Sequence, residues 1–94
     1  MDLEAKLEKV NIVLGKDRVD EIRKTMFGDK QEFSRSDFLA FNKRLREEAV
    51  KAIFEKDPTL KPSKIGEELN IDESLVRYYL KKLFQWFNKY FKEG

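Results

Sequence analysis

Apolar residues recur at helical spacing along nearly the whole chain. Four residues near the N-terminus share one predicted helical face: Leu3, Leu7, Val10 and Leu14. Their spacing of four, three and four residues is typical of an amphipathic α-helix. No stretch of the sequence shows the alternating β-branched pattern of a strand. The pattern therefore predicts an all-α domain of about five helices.

Breaks in this pattern set the predicted helix boundaries. Gly15 stops the first helix, and Asp57 ends the third because the following proline disfavours the α conformation. Pro62 suits the first turn of the fourth helix. The predicted helices cover residues 2–14, 17–26, 62–69 and 73–92, with bounds that are approximate. The third helix is predicted to begin at a cap formed by Ser34 or Ser36 and to end at residue 56. The expected buried face of the third helix is Phe38, Phe41, Leu45, Ala49 and Ile53 or Phe54.

The segment from Pro62 to Lys81 adds a sharp corner between two short helices. Gly66 is small enough to let one helix lie close across the other, and Asn70 falls where the chain must turn. Such a corner requires a positive φ, which glycine adopts best and asparagine next. Asp72 is placed to cap the second helix with its carboxylate. A plain amphipathic helix explains the apolar positions but not these three residues at these offsets.

This segment resembles the helix-turn-helix of DNA-binding regulators. The resemblance implies that residues 62–69 lie across the DNA backbone and that the following helix enters the major groove of double-stranded DNA. We interpret residues 1–94 as a single helix-turn-helix domain, with N-terminal helices at 1–56, the motif at 62–81 and a helical extension at 82–92. We expect no β-hairpin wing, since the sequence after Leu83 continues the helical pattern without a turn signal.

The resemblance also implies roles for individual side chains. Arg77 is the best candidate for reading a guanine, through a bidentate pair worth about 1–3 kcal/mol of discrimination. The implied base-reading residues are Ser74, Arg77, Tyr78 and Lys81, and the implied phosphate contacts are Lys61, Ser63, Lys64 and Lys82. Three cations of the third helix could add phosphate contacts, although a solvated helix face is the simpler interpretation for them. They are Lys43, Arg44 and Arg46.

The distribution of charge along the chain is a stronger argument for DNA binding than the net charge of +2. Residues 1–48 hold eleven basic and eleven acidic side chains, whereas the stretch from Ser74 to Lys92 holds five basic residues and no acid. A positive helix attracts the phosphate backbone. For Lys89 and Lys92, the simpler interpretation is that they complement the dipole at the helix C-terminus.

The C-terminal extension is unusually rich in aromatic residues. Either this stripe packs within the monomer against the first helix, or it meets a second copy in a homodimer. The excess of large apolar side chains favours the homodimer, because exposed apolar patches usually mark interfaces. The predicted dimer contacts are Phe84, Trp86, Phe87, Tyr90 and Phe91.

Several kinds of chemistry are disfavoured by what the sequence lacks. Without cysteine or histidine there are no thiolate nucleophiles, imidazole bases or usual zinc ligands. No glycine-rich phosphate-binding motif occurs, and no apolar run approaches the roughly 20 residues that span a bilayer. The N-terminal residues carry charges throughout instead of a signal-peptide apolar region. We therefore expect a cytoplasmic protein that is not an enzyme and uses no cofactor, metal or membrane.

Two hypotheses follow from the sequence. The first is a small homodimeric DNA-binding protein that regulates transcription, acting by occupancy as a repressor does. The second is a helical protein–protein interaction module, such as an accessory subunit of a replication or transcription complex. Asp72 and Glu73 place negative charge at the end of the helix that would face DNA. Either Asp72 is engaged as the cap and Glu73 accepts from a cytosine amino group, or these acids weaken DNA binding and indicate a protein-binding or structural unit.

Overall fold

A computed structural model describes the backbone of residues 2–91 and the side chains of residues 7–85. Its five helices are α1 (Asp2–Leu14), α2 (Lys16–Phe27), α3 (Arg35–Lys56), α4 (Pro62–Leu69) and α5 (Glu73–Phe91). No strand occurs between residues 2 and 91. The predicted all-α class with five helices is confirmed, and α5 continues as a helix where a winged protein would form its hairpin.

Local signals fix most of the helix ends. Gly15 alone separates α1 from α2 and has a φ of 82°, a conformation that favours glycine. Of the two serines considered as caps for α3, Ser34 is the one used. Its hydroxyl accepts from the backbone N–H of Asp37 at 3.1 Å, and the Asp37 carboxylate accepts from the backbone N–H of Ser34 at 3.1 Å, which completes a capping box. Asp57 ends α3 as predicted.

The long helix α3 organises the core, since it packs against each of the other four helices. The residues buried in this core are Leu7, Val10, Ile22, Leu45, Ala49, Val50, Ile53, Ile65, Leu69, Val76, Tyr79 and Leu80. The expected burial of Phe38 is wrong, because its side chain is 44% exposed. Phe38 lies in the first turn of α3, beyond the part of the helix that its neighbours cover.

The corner between α4 and α5 has the geometry that the sequence predicts. Asn70 adopts the left-handed conformation, with φ 56° and ψ 46°. The backbone carbonyl of Gly66 accepts from the N–H of Ile71 at 3.0 Å, which closes the turn. A Cβ added to Gly66 would lie 2.8 Å from the carbonyl oxygen of Ile71. The close approach of the two helices therefore depends on a residue without a side chain.

Asp72 behaves differently from the expected cap. Among the described residues, its carboxylate accepts a hydrogen bond from the hydroxyl of Ser74 instead of one from a backbone N–H. Its backbone carbonyl accepts from the N–H groups of Leu75 and Val76, each at 3.1 Å, and so begins α5. None of the helices in the described part of the chain has both the length and the apolar character needed to cross a membrane.

Candidate nucleic-acid interface

The exposed face of α5 carries every predicted base-reading side chain. Successive residues of an α-helix are about 100° apart. In order around the helix, the exposed residues of α5 between positions 73 and 82 are Glu73, Arg77, Lys81, Ser74, Tyr78 and Lys82. The opposite face is buried against α3 and α4 through Val76, Tyr79 and Leu80. The four residues predicted to read bases therefore lie together on one solvent-facing half of the helix.

Arg77 points outward from the body of the protein. Its guanidinium forms an ion pair with Glu73, one turn earlier, at 3.2 Å, and its side chain is 66% exposed. Exposed ion pairs of this kind are worth only about 0–1 kcal/mol. A phosphate or a guanine edge is therefore able to replace Glu73 as the partner of this arginine at little cost.

Two internal contacts order the other half of this face. The hydroxyl of Ser74 donates to the carboxylate of Asp72, so that Ser74 and Asp72 are held together at the start of α5. The ammonium of Lys82 lies 5.5 Å from the centre of the Tyr78 ring, within the range of a cation–π contact. Both contacts restrict side chains that would otherwise sample many rotamers. Less conformational entropy is then lost when a ligand binds.

The side of the interface next to α4 carries the other predicted phosphate contacts. Lys61, Ser63 and Lys64 are all exposed around the first turn of α4. Lys64 lies 3.7 Å from the carboxylate of Glu67 across one turn of the helix. The acidic residues Glu67 and Glu68 are also exposed, so that α4 is less positive than α5. The positive charge of this part of the surface is therefore concentrated on α5.

A groove of about 240 Å³ follows the other side of α5, where it meets the middle of α3. From α5 it is lined by Tyr79, Lys82 and Leu83. From α3 it is lined by Arg44, Glu47, Glu48, Val50 and Lys51. The floor is apolar and the rim carries ammonium, guanidinium and carboxylate groups. Nothing in the spacing of residues along the sequence predicted that α3 and α5 would bring these cations together.

Glu48 is already neutralised by two arginines. Its two carboxylate oxygens contact Arg18 of α2 at 2.9 Å and Arg44 of α3 at 3.3 Å, and the Glu48 side chain is only 12% exposed. The hydrogen bond that Arg18 donates to the Glu48 carboxylate raises the pKa of its guanidinium above the usual value. Arg18 also contacts Glu21 at 2.8 Å, so the two guanidiniums and two carboxylates of this cluster balance, and Glu48 is compensated beside the groove.

The predicted dimer contacts fall mostly outside the described side chains. Of these five residues, Phe84 is described, and the side chains of Trp86, Phe87, Tyr90 and Phe91 are not. The Phe84 ring packs edge-on against Phe54 of α3 with centroids 5.3 Å apart, and it remains 47% exposed. Over the residues described, α5 contacts α3 and α4 and makes no contact with α1. The homodimer remains a prediction.

A second apolar surface lies where α2 meets the start of α3, and the sequence interpretation missed it. The Phe27 ring makes edge-on contacts with Phe33, at 5.2 Å, and with Phe41, at 6.1 Å. Phe33, Phe38 and the neighbouring Leu39 are all exposed. The four phenylalanines within residues 27–41 were the sequence feature that could have indicated this apolar surface. The sequence interpretation missed this surface because Phe27 and Phe33 lie between the predicted second and third helices, apart from Phe38 and Phe41 in the third.

Comparisons of the chain with models of known protein families, with curated proteins and with solved structures gave no match. Among the residues that the structure describes, no group of three or more acidic, histidine or cysteine side chains is arranged to hold a metal ion.

Proposed function

We propose that this chain binds double-stranded DNA through the exposed face of α5 and acts as a small dimeric regulator of transcription. The observation that carries this proposal is the corner at Asn70, which presents Ser74, Arg77, Tyr78 and Lys81 together on the outward face of a helix. Helix-turn-helix proteins insert such a helix into the major groove with its N-terminal residues against the base edges. Arg77 would then read a guanine.

The charge of α5 supports the same interaction. From Ser74 to Gln85, the exposed charged residues are Arg77, Lys81 and Lys82, with no acidic residue in that stretch. Each phosphate that a cation neutralises releases counterions, which favours binding at low salt. Glu73 opposes this attraction, but its pair with Arg77 already offsets much of its charge. A cytoplasmic location remains part of the proposal, on the ground that the N-terminal residues carry charges instead of a signal-peptide apolar region.

A homodimer would suit this function, because two copies related by a twofold axis read a palindromic site. The half-sites would then be about 34 Å apart, one turn of the duplex. Phe84 supports a contact near the end of α5, since it is a large apolar side chain that is only partly covered by Phe54. In this proposal Trp86, Phe87, Tyr90 and Phe91 extend the contact through the aromatic sequence that follows.

The test is duplex binding by a double variant, Arg77→Ala with Lys81→Ala. We expect a loss of about 5- to 150-fold from the missing guanine contact of Arg77 alone, with a further loss from Lys81. A matched control is Arg23→Ala with Lys24→Ala on α2, which removes the same two residue types. Arg23 also carries an exposed ion pair, with Asp20 at 3.1 Å. A folded Arg77/Lys81 variant that binds as tightly as this control would refute the assignment.

The exposed aromatic surface favours a second candidate, a helical protein–protein interaction module. Phe33, Phe38 and Leu39 are large apolar side chains that a protein partner would cover. The same duplex titration separates the two candidates. Binding that weakens steeply with salt supports DNA, whereas no binding to any duplex at low salt supports the protein-interaction module.

A further inference from the structure

We infer that the groove between α3 and α5 is a second phosphate-binding site, which holds the DNA strand on the side of α5 opposite α4. Lys51 of α3 is its principal new contact, with Lys82 and Arg44 beside it. This assignment rests on the proposed insertion of α5 into the major groove. It adds α3 to the surface that touches DNA.

The dimensions of the major groove place a strand at this position. The groove of B-DNA is about 12 Å wide, and an α-helix with its side chains is about 10–12 Å across. A helix inserted there has a phosphate backbone along each flank. The start of α5 lies next to α4, since the backbone N of Glu73 would lie 3.7 Å from a Cβ on Gly66. Lys82 lies about 180° around the helix from Glu73 and lines the α3 groove.

The charge of this groove suits phosphate. Its cations are Arg44, Lys51 and Lys82, and its acids are Glu47 and Glu48. Three cations against two carboxylates leave the lining of the groove with a net charge of +1. This sum is more positive than that of the exposed surface of α4, where Lys61 and Lys64 lie beside Glu67 and Glu68.

Lys51 is the cation of this groove that can be removed with the least disturbance. It is exposed on α3, whereas Arg44 shares Glu48 with Arg18 and Lys82 lies over the Tyr78 ring. Replacing Arg44 would disturb its ion pair with Glu48, and replacing Lys82 would disturb the exposed face of α5 that is proposed to meet DNA. Lys51→Gln removes one charge and keeps a side chain of similar length.

The experiment measures duplex affinity between 50 and 200 mM salt for the wild type, for Lys51→Gln and for Lys24→Gln. The control residue Lys24 is an exposed lysine of α2, a helix that packs on α1 and α3. One lost phosphate contact lowers the slope of log affinity against log salt by about 0.9. Raising the salt from 50 to 200 mM then reduces the affinity of Lys51→Gln by a factor about 3.5 times smaller than the factor for the wild type. Lys24→Gln keeps the wild-type slope.

Sequence preference gives a second measurement. Because a phosphate contact carries no base information, Lys51→Gln should weaken preferred and random duplexes by the same factor. A Lys51→Gln slope equal to that of Lys24→Gln overturns the second phosphate site and leaves the proposed function standing, provided that the wild type binds duplex. A wild type that binds no duplex at low salt overturns both.

Discussion

Replacing Gly66 with alanine should destabilise the protein, although alanine is the better helix former. In an open helical position, Gly→Ala stabilises by up to about 1 kcal/mol. Here the new Cβ would lie 2.8 Å from the carbonyl oxygen of Ile71, and ordinary contacts begin at 3.4 Å, so the turn must open by 0.6 Å. The opposing atom belongs to the backbone and is tied into the turn by the Ile71 N–H bond to Gly66. Overpacking of this kind costs about 1–3 kcal/mol.

The net expectation is a loss of about 1 kcal/mol, which lowers the midpoint of thermal unfolding by about 4–8 °C for a domain of this size. Circular dichroism at matched protein concentration measures it, since dimerisation would make the midpoint depend on concentration. Glu67→Ala is the control, because Glu67 is exposed in the same helix. It should change stability by no more than about 0.5 kcal/mol. A Gly66→Ala variant that melts above the wild type would show that α4 and α5 are not in close contact at this residue.

Three further predictions concern the turn, a helix cap and the dimer. Asn70→Ala should cost about 1 kcal/mol in urea unfolding because of the left-handed backbone, whereas Asn70→Gly should cost nothing; equal stabilities would contradict that conformation. Hydrogen bonds from Lys30 and Ser34 lower the pKa of the Asp37 carboxyl. Its stabilising effect is therefore complete above the unfolded-state pKa of about 3.9 and is lost as pH falls through the lower folded-state pKa. Asp37→Asn should unfold with a flatter pH dependence in that acidic range, and an unchanged pH profile would exclude this role. Sedimentation should give the mass of two chains for the wild type and of one chain for Trp86→Glu, and a one-chain mass for the wild type would refute the homodimer.

Features that depend on nearby residues were predictable from the sequence. Gly15, Asn70 and the Asp57-Pro58 pair each restrict the backbone through their own covalent geometry, and each lies at a helix end where expected. The outward face of α5 was predictable from the helical period of about 3.6 residues, because the apolar positions define the buried side and leave the opposite side to solvent.

Features that depend on how helices meet in space were not predictable in this way. Phe38 fits the apolar period of α3, yet its turn extends past the helices that cover the rest of that face. The groove at Lys51 and the sharing of Glu48 by Arg18 and Arg44 require the relative placement of α2, α3 and α5. Periodicity within one helix holds no information on that placement. The groove proposed as a second phosphate site can therefore be identified only from the three-dimensional structure.

The most direct test of DNA binding through α5 is a titration of the isotopically labelled protein with a short duplex at low salt, followed by backbone amide chemical shifts. The largest changes should occur from Ser74 to Lys82, with a second group around Lys51 on α3. Shifts confined to the aromatic surface at residues 27–41, or no shifts at all, would contradict the proposed interface.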